Sequence, residues 1–83
     1  MNQPGKVFRI GETEQVSASF KKRELILEIP GMYPQYVKFE AVQDKVSIFD
    51  GLQIGQDVDV HFNLNGRESK GNYYNTLQAW KVS

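Results

Sequence analysis

The densest chemistry in the chain lies in NGRESKGNYYNTLQAWKV, residues 65–82. Arg67 and Lys70 stand between two glycines, Gly66 and Gly71, and Tyr73, Tyr74 and Trp80 follow. Guanidinium and ammonium groups contact phosphate. Flat exposed rings stack on unpaired bases, each stack contributing ~1–3 kcal/mol. A second group precedes it, Phe20 followed by Lys21, Lys22 and Arg23. A third is Tyr36 with Lys38, a ring and a cation two residues apart. On a strand that spacing puts both on one face. Together these residues have the types that hold an anionic polymer by its backbone and its bases.

Other chemistry has less to build on. Asp57, Asp59 and His61 alternate onto one strand face. Same-face neighbours are ~7 Å apart, so one ion does not reach all three, and no metal site is expected. The chain has one histidine, no cysteine, no phosphate loop of the Walker or dinucleotide type and no nucleophile elbow. A non-enzyme without a cofactor is expected.

Composition bounds the rest. The 83 residues suit one domain, 1–83. Without thiols, stability rests on a packed core, helped by self-association. The N-terminus lacks a signal-peptide pattern, and no apolar run nears the ~18 residues that span a membrane. These features, with the absence of cysteine, point to a cytoplasmic protein. Ten basic residues balance ten acidic ones. Nucleic-acid-binding domains are usually basic, so only a local clustering of cations serves that role here.

The elements that must position these residues are mostly strands. In RELILEI, Leu25, Leu27 and Ile29 oppose Glu24, Ile26 and Glu28. In QYVKFEA, Val37, Phe39 and Ala41 oppose Tyr36, Lys38 and Glu40. In DVDVHFNLN, Val58, Val60, Phe62 and Leu64 oppose Asp57, Asp59, His61 and Asn63. This period of two marks half-buried antiparallel strands. A first strand is expected from Lys6 to about Ser17, and a last from Tyr73 to Val82. In the last, Leu77 and Ala79 read as core, while Thr76, Gln78 and Trp80 point outward with Tyr74. A bulge near the strand end would reverse Trp80. PGMYPQ, residues 30–35, is a turn. Val46, Phe49 and Leu52 recur at three-residue spacing, one or two helical turns that Gly51 ends before Gly55 turns the chain. Asn65-Gly66 and Gly71-Asn72 read as the two ends of a polar, mobile loop, RESK. The expected fold is all-β, a five-stranded OB-fold Greek-key barrel with a short helix between strands three and four. An SH3-like barrel is the less apt alternative, because its helix usually falls between the last two strands.

Taken together, FNLNGRESKGNYYNTLQAWKV, FKKRELILEIPGMYPQYVKFE and GLQIGQDVDV resemble a small OB-fold family of Bacteroides-type bacteria and their phages, a domain of unknown function. That family is similar to bacterial single-stranded-DNA-binding proteins and to primosomal replication proteins. The resemblance covers roughly residues 5–82, and its most specific part is the hairpin N-G-R-E-x-x-G-x-Y-Y-N followed by A-W-K. The sequence departs from the family pattern in the first loop, where Phe20 stands near a Trp position, and in the second strand, where Leu25 stands for Phe.

OB barrels bind strands across strands two and three, between the loop joining strands one and two and the loop joining four and five. Lys21, Lys22, Arg23, Arg67 and Lys70, five of the ten cations, fall at those two loops. The expected function is binding single-stranded DNA, with RNA also possible, with little sequence preference, in replication, recombination or repair. The expected contacts are Lys21, Lys22, Arg23, Lys38, Arg67 and Lys70 to phosphate, with stacking on Phe20, Tyr36, Tyr74 and Trp80. A homo-oligomer, dimer or higher, would raise avidity. The alternative is a protein-interaction module that ignores oligonucleotides. An oligosaccharide binder ranks third.

Overall fold

The alternating segments form strands, and a computed structural model describes all of them, residues 1–83. The strands are β1 (Asn2–Ile10), β2 (Glu14–Ser17), β3 (Phe20–Ile29), β4 (Gln35–Val42), β5 (Asp57–Ser69) and β6 (Asn72–Val82). A 3₁₀ helix, Gln43–Phe49, joins β4 to β5. The sheet runs β1-β5-β6-β4-β3-β2, and β1 also pairs with β3. Five strands therefore close a circuit, β1-β5-β6-β4-β3 and back to β1, with β2 appended to β3. This is the OB-fold barrel that the alternation indicates.

The expected first strand, Lys6 to Ser17, is corrected in both directions. It begins earlier, at Asn2, and breaks between Ile10 and Glu14. The physical reason is that β1 changes partner. Asn2 to Lys6 pair with β5, and Lys6 to Ile10 pair with β3. The crossing brings backbone close to backbone at Gly5. A methyl group there would lie 2.7 Å from the Glu28 carbonyl oxygen and 2.8 Å from the Leu27 side chain. Only glycine admits that approach.

The core is Val7, Leu25, Leu27, Phe39, Ala41, Phe49, Val58, Val60 and Ala79. Each fully buried large side chain there contributes ~1.5–3 kcal/mol. Val46 and Phe49 of the helix are buried, and Leu52, beyond its end, packs against the same core. Gly51, at φ +81°, turns the chain just after the helix. Phe62 packs against Phe39 with ring centroids 5.2 Å apart. Leu64, expected with the core, is instead 56% exposed. Here β5 and β6 have run past the barrel as a free two-stranded ribbon.

That ribbon replaces the expected mobile loop. Pairing continues from Asn65 with Thr76 through Arg67 with Tyr74 to Ser69 with Asn72. The turn is only Lys70-Gly71, both at positive φ, 51° and 81°. Two positive φ values in a two-residue turn match the right-handed twist of the strands. The Gly71 amide donates to Glu68 Oε2 at 2.9 Å, so Glu68 closes the turn.

Candidate nucleic-acid interface

Two hairpins wall a groove on the barrel. One is β2–β3, whose ladder closes with Ser17 opposite Phe20. The other is the β5–β6 ribbon. The space between them is an open cleft of about 630 Å³. Val16, Phe20 and Lys22 line one wall, and Arg67, Tyr73 and Tyr74 the other. Glu40 and Gln78 lie between them, opposite each other in the single bridge that closes the barrel between β4 and β6.

Each wall is held by identifiable contacts. The β2–β3 turn is tied to the start of the helix by Gln43, a non-glycine residue at φ +54°. Its Nε2 donates to the Ser19 carbonyl at 2.8 Å, and its Oε1 accepts from the Lys21 amide at 3.3 Å. This fixes the hairpin beside Phe20. On the ribbon, the Arg67 guanidinium lies 5.3 Å from the centroid of the Tyr74 ring. At the ribbon's base, Asn65 Nδ2 donates to Gln78 Oε1 at 2.7 Å.

The structure brings four of the expected site residues into this cleft: Phe20, Lys22, Arg67 and Tyr74. Lys70 sits at the ribbon tip. Tyr36 and Lys38 lie outside the cleft on the outer face of β4, as the alternation indicates. Tyr36 packs against Phe8, with ring centroids 4.8 Å apart, and its hydroxyl reaches Glu28 at 3.4 Å. Lys38 Nζ is 3.7 Å from Glu24.

Three residues stand apart from the cleft. Arg23 shares the inner face of β3 with Leu25. Its Nε donates to the Gly11 carbonyl at 2.8 Å, and its Nη1 to the Val46 carbonyl at 3.1 Å and to Asp50 at 2.7 Å. Its side chain is only 17% exposed, so these contacts occupy it structurally. Lys21 shares that inner parity, opposite in direction to Lys22. Trp80 is the bulged residue of β6, unpaired between Ala79 opposite Phe62 and Lys81 opposite His61. The bulge leaves Trp80 outside and turns Val82 inward. Trp80 is 43% exposed, its ring 5.4 Å from His61. His61 approaches Asp59 at 3.9 Å and Ser83 at 3.2 Å, and no cluster of the kind that holds a metal ion occurs.

Sequence reasoning missed Phe8, Asn65 and Gln78, and it named Tyr73 among the rings without carrying it into the site. Phe8 was hidden by a register shift between Val7 and Arg9, which breaks the alternation there. Tyr73 and Asn65 join the cleft only because the ribbon is paired past Gly66.

A five-stranded barrel with a groove walled by two hairpins, lined by rings and cations, defines an OB-fold domain. The chain belongs to the family described as domain of unknown function (DUF3127), which matches residues 3–83. Among solved structures it is similar to the N-terminal domain of PriB protein from Thermoanaerobacter tencongensis, which is dimeric. Identity is 23% and the TM-score 0.69, covering 100% of this chain and 91% of that one. It is also similar to the small single-stranded DNA-binding protein of Streptomyces coelicolor. There identity is 10% and the TM-score 0.57, covering 100% of this chain and 90% of that one. At these identities the likeness is one of fold. No curated protein matches the chain. No helix is long and apolar enough to cross a membrane.

Proposed function

We propose that this chain binds single-stranded DNA in the cleft between β2–β3 and the β5–β6 ribbon, as a cytoplasmic protein of replication, recombination or repair. The observation that carries this reading is the facing of Phe20 and Lys22 on one wall by Arg67 and Tyr74 on the other. Each wall offers a ring and a cation. A strand lying between them has its bases beside rings and its phosphates within reach of charge. A neutral chain can do this because the cations are local. Two of them, Lys22 and Arg67, line the cleft against one carboxylate, Glu40. Lys70 extends the charge at the tip.

The outer face of β4 continues the path. Phe8 and Tyr36 present a joined pair of exposed rings there. Lys38 adjoins them. Stacking and phosphate contact are indifferent to most of the sequence and to the sugar, so RNA is accepted by the same contacts. DNA is preferred here because a similar barrel belongs to a protein that binds single-stranded DNA. One barrel covers only ~4–16 nucleotides, so self-association is part of the proposal. The similar PriB domain is dimeric.

The test is a titration with a labelled oligo-dT strand, read by anisotropy at low and then moderate salt. Binding that weakens as salt rises is expected. Flat anisotropy at low salt would overturn the reading and favour a protein-interaction barrel.

A further inference from the structure

We infer that the cleft floor reads guanine at one position of the bound strand, through Glu40 and Gln78; this rests on the single-strand reading above. Glu40 is a half-buried carboxylate in a groove otherwise suited to phosphate. It takes part in none of the four side-chain ion pairs. The next cation on its face, Lys38, approaches Glu24 instead. An unneutralised carboxylate repels a phosphate backbone. The strand therefore runs with its backbone toward Lys22 and Arg67 and with a base edge toward the floor.

The floor has a defined pattern of donors and acceptors. Glu40 offers two acceptor oxygens and no donor when ionised. Gln78 stands opposite it across the β4–β6 bridge. The Gln78 carbonyl oxygen is engaged by Asn65 at 2.7 Å. That contact leaves the Gln78 amino group to donate into the cleft.

Among the bases, guanine alone presents two adjacent N–H donors, N1 and the N2 amino group, beside an acceptor, O6. A carboxylate accepts both donors, and the carboxamide donates to O6. Adenine and cytosine each offer one amino donor next to a bare ring nitrogen, which repels the second carboxylate oxygen. Thymine and uracil offer one N–H flanked by two carbonyl oxygens. Single-stranded bases expose these edges, as a duplex does not. The rings of Phe20 and Tyr74 on the walls supply stacking faces for any base. Glu40 adds the preference.

The experiment measures affinity, at fixed low salt, for a short oligo-dT strand with one central base changed to guanine, inosine, adenine or cytosine. A single guanine keeps quadruplexes from forming. The guanine strand is expected to bind roughly tenfold more tightly than all-thymine, the range of a bidentate base contact. Inosine, which lacks the N2 amino group, should lose most of that gain without any change to the protein. Glu40→Gln should abolish the preference, so that the guanine and all-thymine strands bind the variant alike. A circular-dichroism melt checks that the variant folds. Equal binding of all strands overturns the guanine inference and leaves the single-strand reading standing. A guanine preference that survives Glu40→Gln overturns the assignment to Glu40. No binding of any strand at low salt overturns the single-strand reading, and this inference with it.

Discussion

Arg67 and Tyr74 face each other across the β5–β6 ribbon as a paired position, with the guanidinium 5.3 Å from the ring centroid. The contact holds the ring against one wall of the cleft and leaves it about half-exposed. Tyr74→Ala should lower affinity for oligo-dT roughly tenfold, within the ~1–3 kcal/mol range of one stack. Tyr74→Phe should keep most of it. Arg67→Ala should cost affinity through both lost charge and a freed ring, so the double variant should lose less than the sum of the singles. Anisotropy on the four proteins measures this. Additive losses would separate the two residues.

The count of cations at the cleft sets the salt dependence. On the proposed reading Lys22, Arg67 and Lys70 would give about three phosphate contacts, and each single-strand contact contributes ~0.7 to the slope of log affinity against log salt. The slope should be about −2. Replacing Lys70 by Gln should flatten it by ~0.7 while leaving the base preference unchanged. A slope near zero would remove charge from the mechanism.

Much of this architecture is legible in the sequence because barrel strands leave a period-two signature. RELILEI, QYVKFEA and DVDVH each alternate cleanly, and three-residue spacing places Val46 and Phe49 in a helix. Legibility fails where local geometry departs from alternation. The register shift at Val7 and Arg9 hides Phe8, and the bulge at Trp80 breaks the parity of β6. Gly66 reads as a turn because glycine usually ends pairing, yet here it lies in the ladder opposite Asn75. Arg23 is a different case. Its parity with Leu25 was visible, but KKR reads as a loop of phosphate-contacting cations, and the three acceptors that hold its guanidinium come from distant segments. The Glu40–Gln78 contact was invisible because it joins β4 to β6 by a single parallel bridge.

Arg23 should therefore act on stability. Its guanidinium joins the Gly11 and Val46 carbonyls and the Asp50 carboxylate. Arg23→Ala leaves two carbonyls without that donor and should destabilise the fold by about 2 kcal/mol. Arg23→Lys should restore little, since an ammonium does not reproduce the planar fork. Thermal melts measure the loss. At a temperature where the variant is folded, its affinity for oligo-dT should stay within about twofold of the original, the change expected from a cation outside the cleft.

Gln43 ties the β2–β3 turn to the helix by two side-chain hydrogen bonds. Gln43→Ala keeps the strain of its positive φ while removing both bonds, so it isolates the tie from backbone strain. The hairpin should loosen locally. Hydrogen exchange at the Lys21 amide should rise while core amides of β4 keep their protection. Affinity should fall several-fold as Phe20 loses its fixed place on the wall, a preorganisation cost. Unchanged exchange at Lys21 would show that the hairpin is held by its own ladder.

Trp80 gives the sharpest separation between the cleft and the rest of the surface. The bulge directs it outward beside His61, and it is not among the residues lining the cleft. Trp80→Ala removes the ring at the bulge altogether. If the strand lies in the cleft, this variant should bind oligo-dT within about twofold of the original, well below the ~1–3 kcal/mol of a lost stack. Tyrosine emission from the variant should still be quenched, because Tyr73 and Tyr74 remain at the site. A tenfold loss with Trp80→Ala would instead move the strand across the outer face of β5 and β6. The rings of Tyr74 and Phe20 would then have to be reassigned as rim.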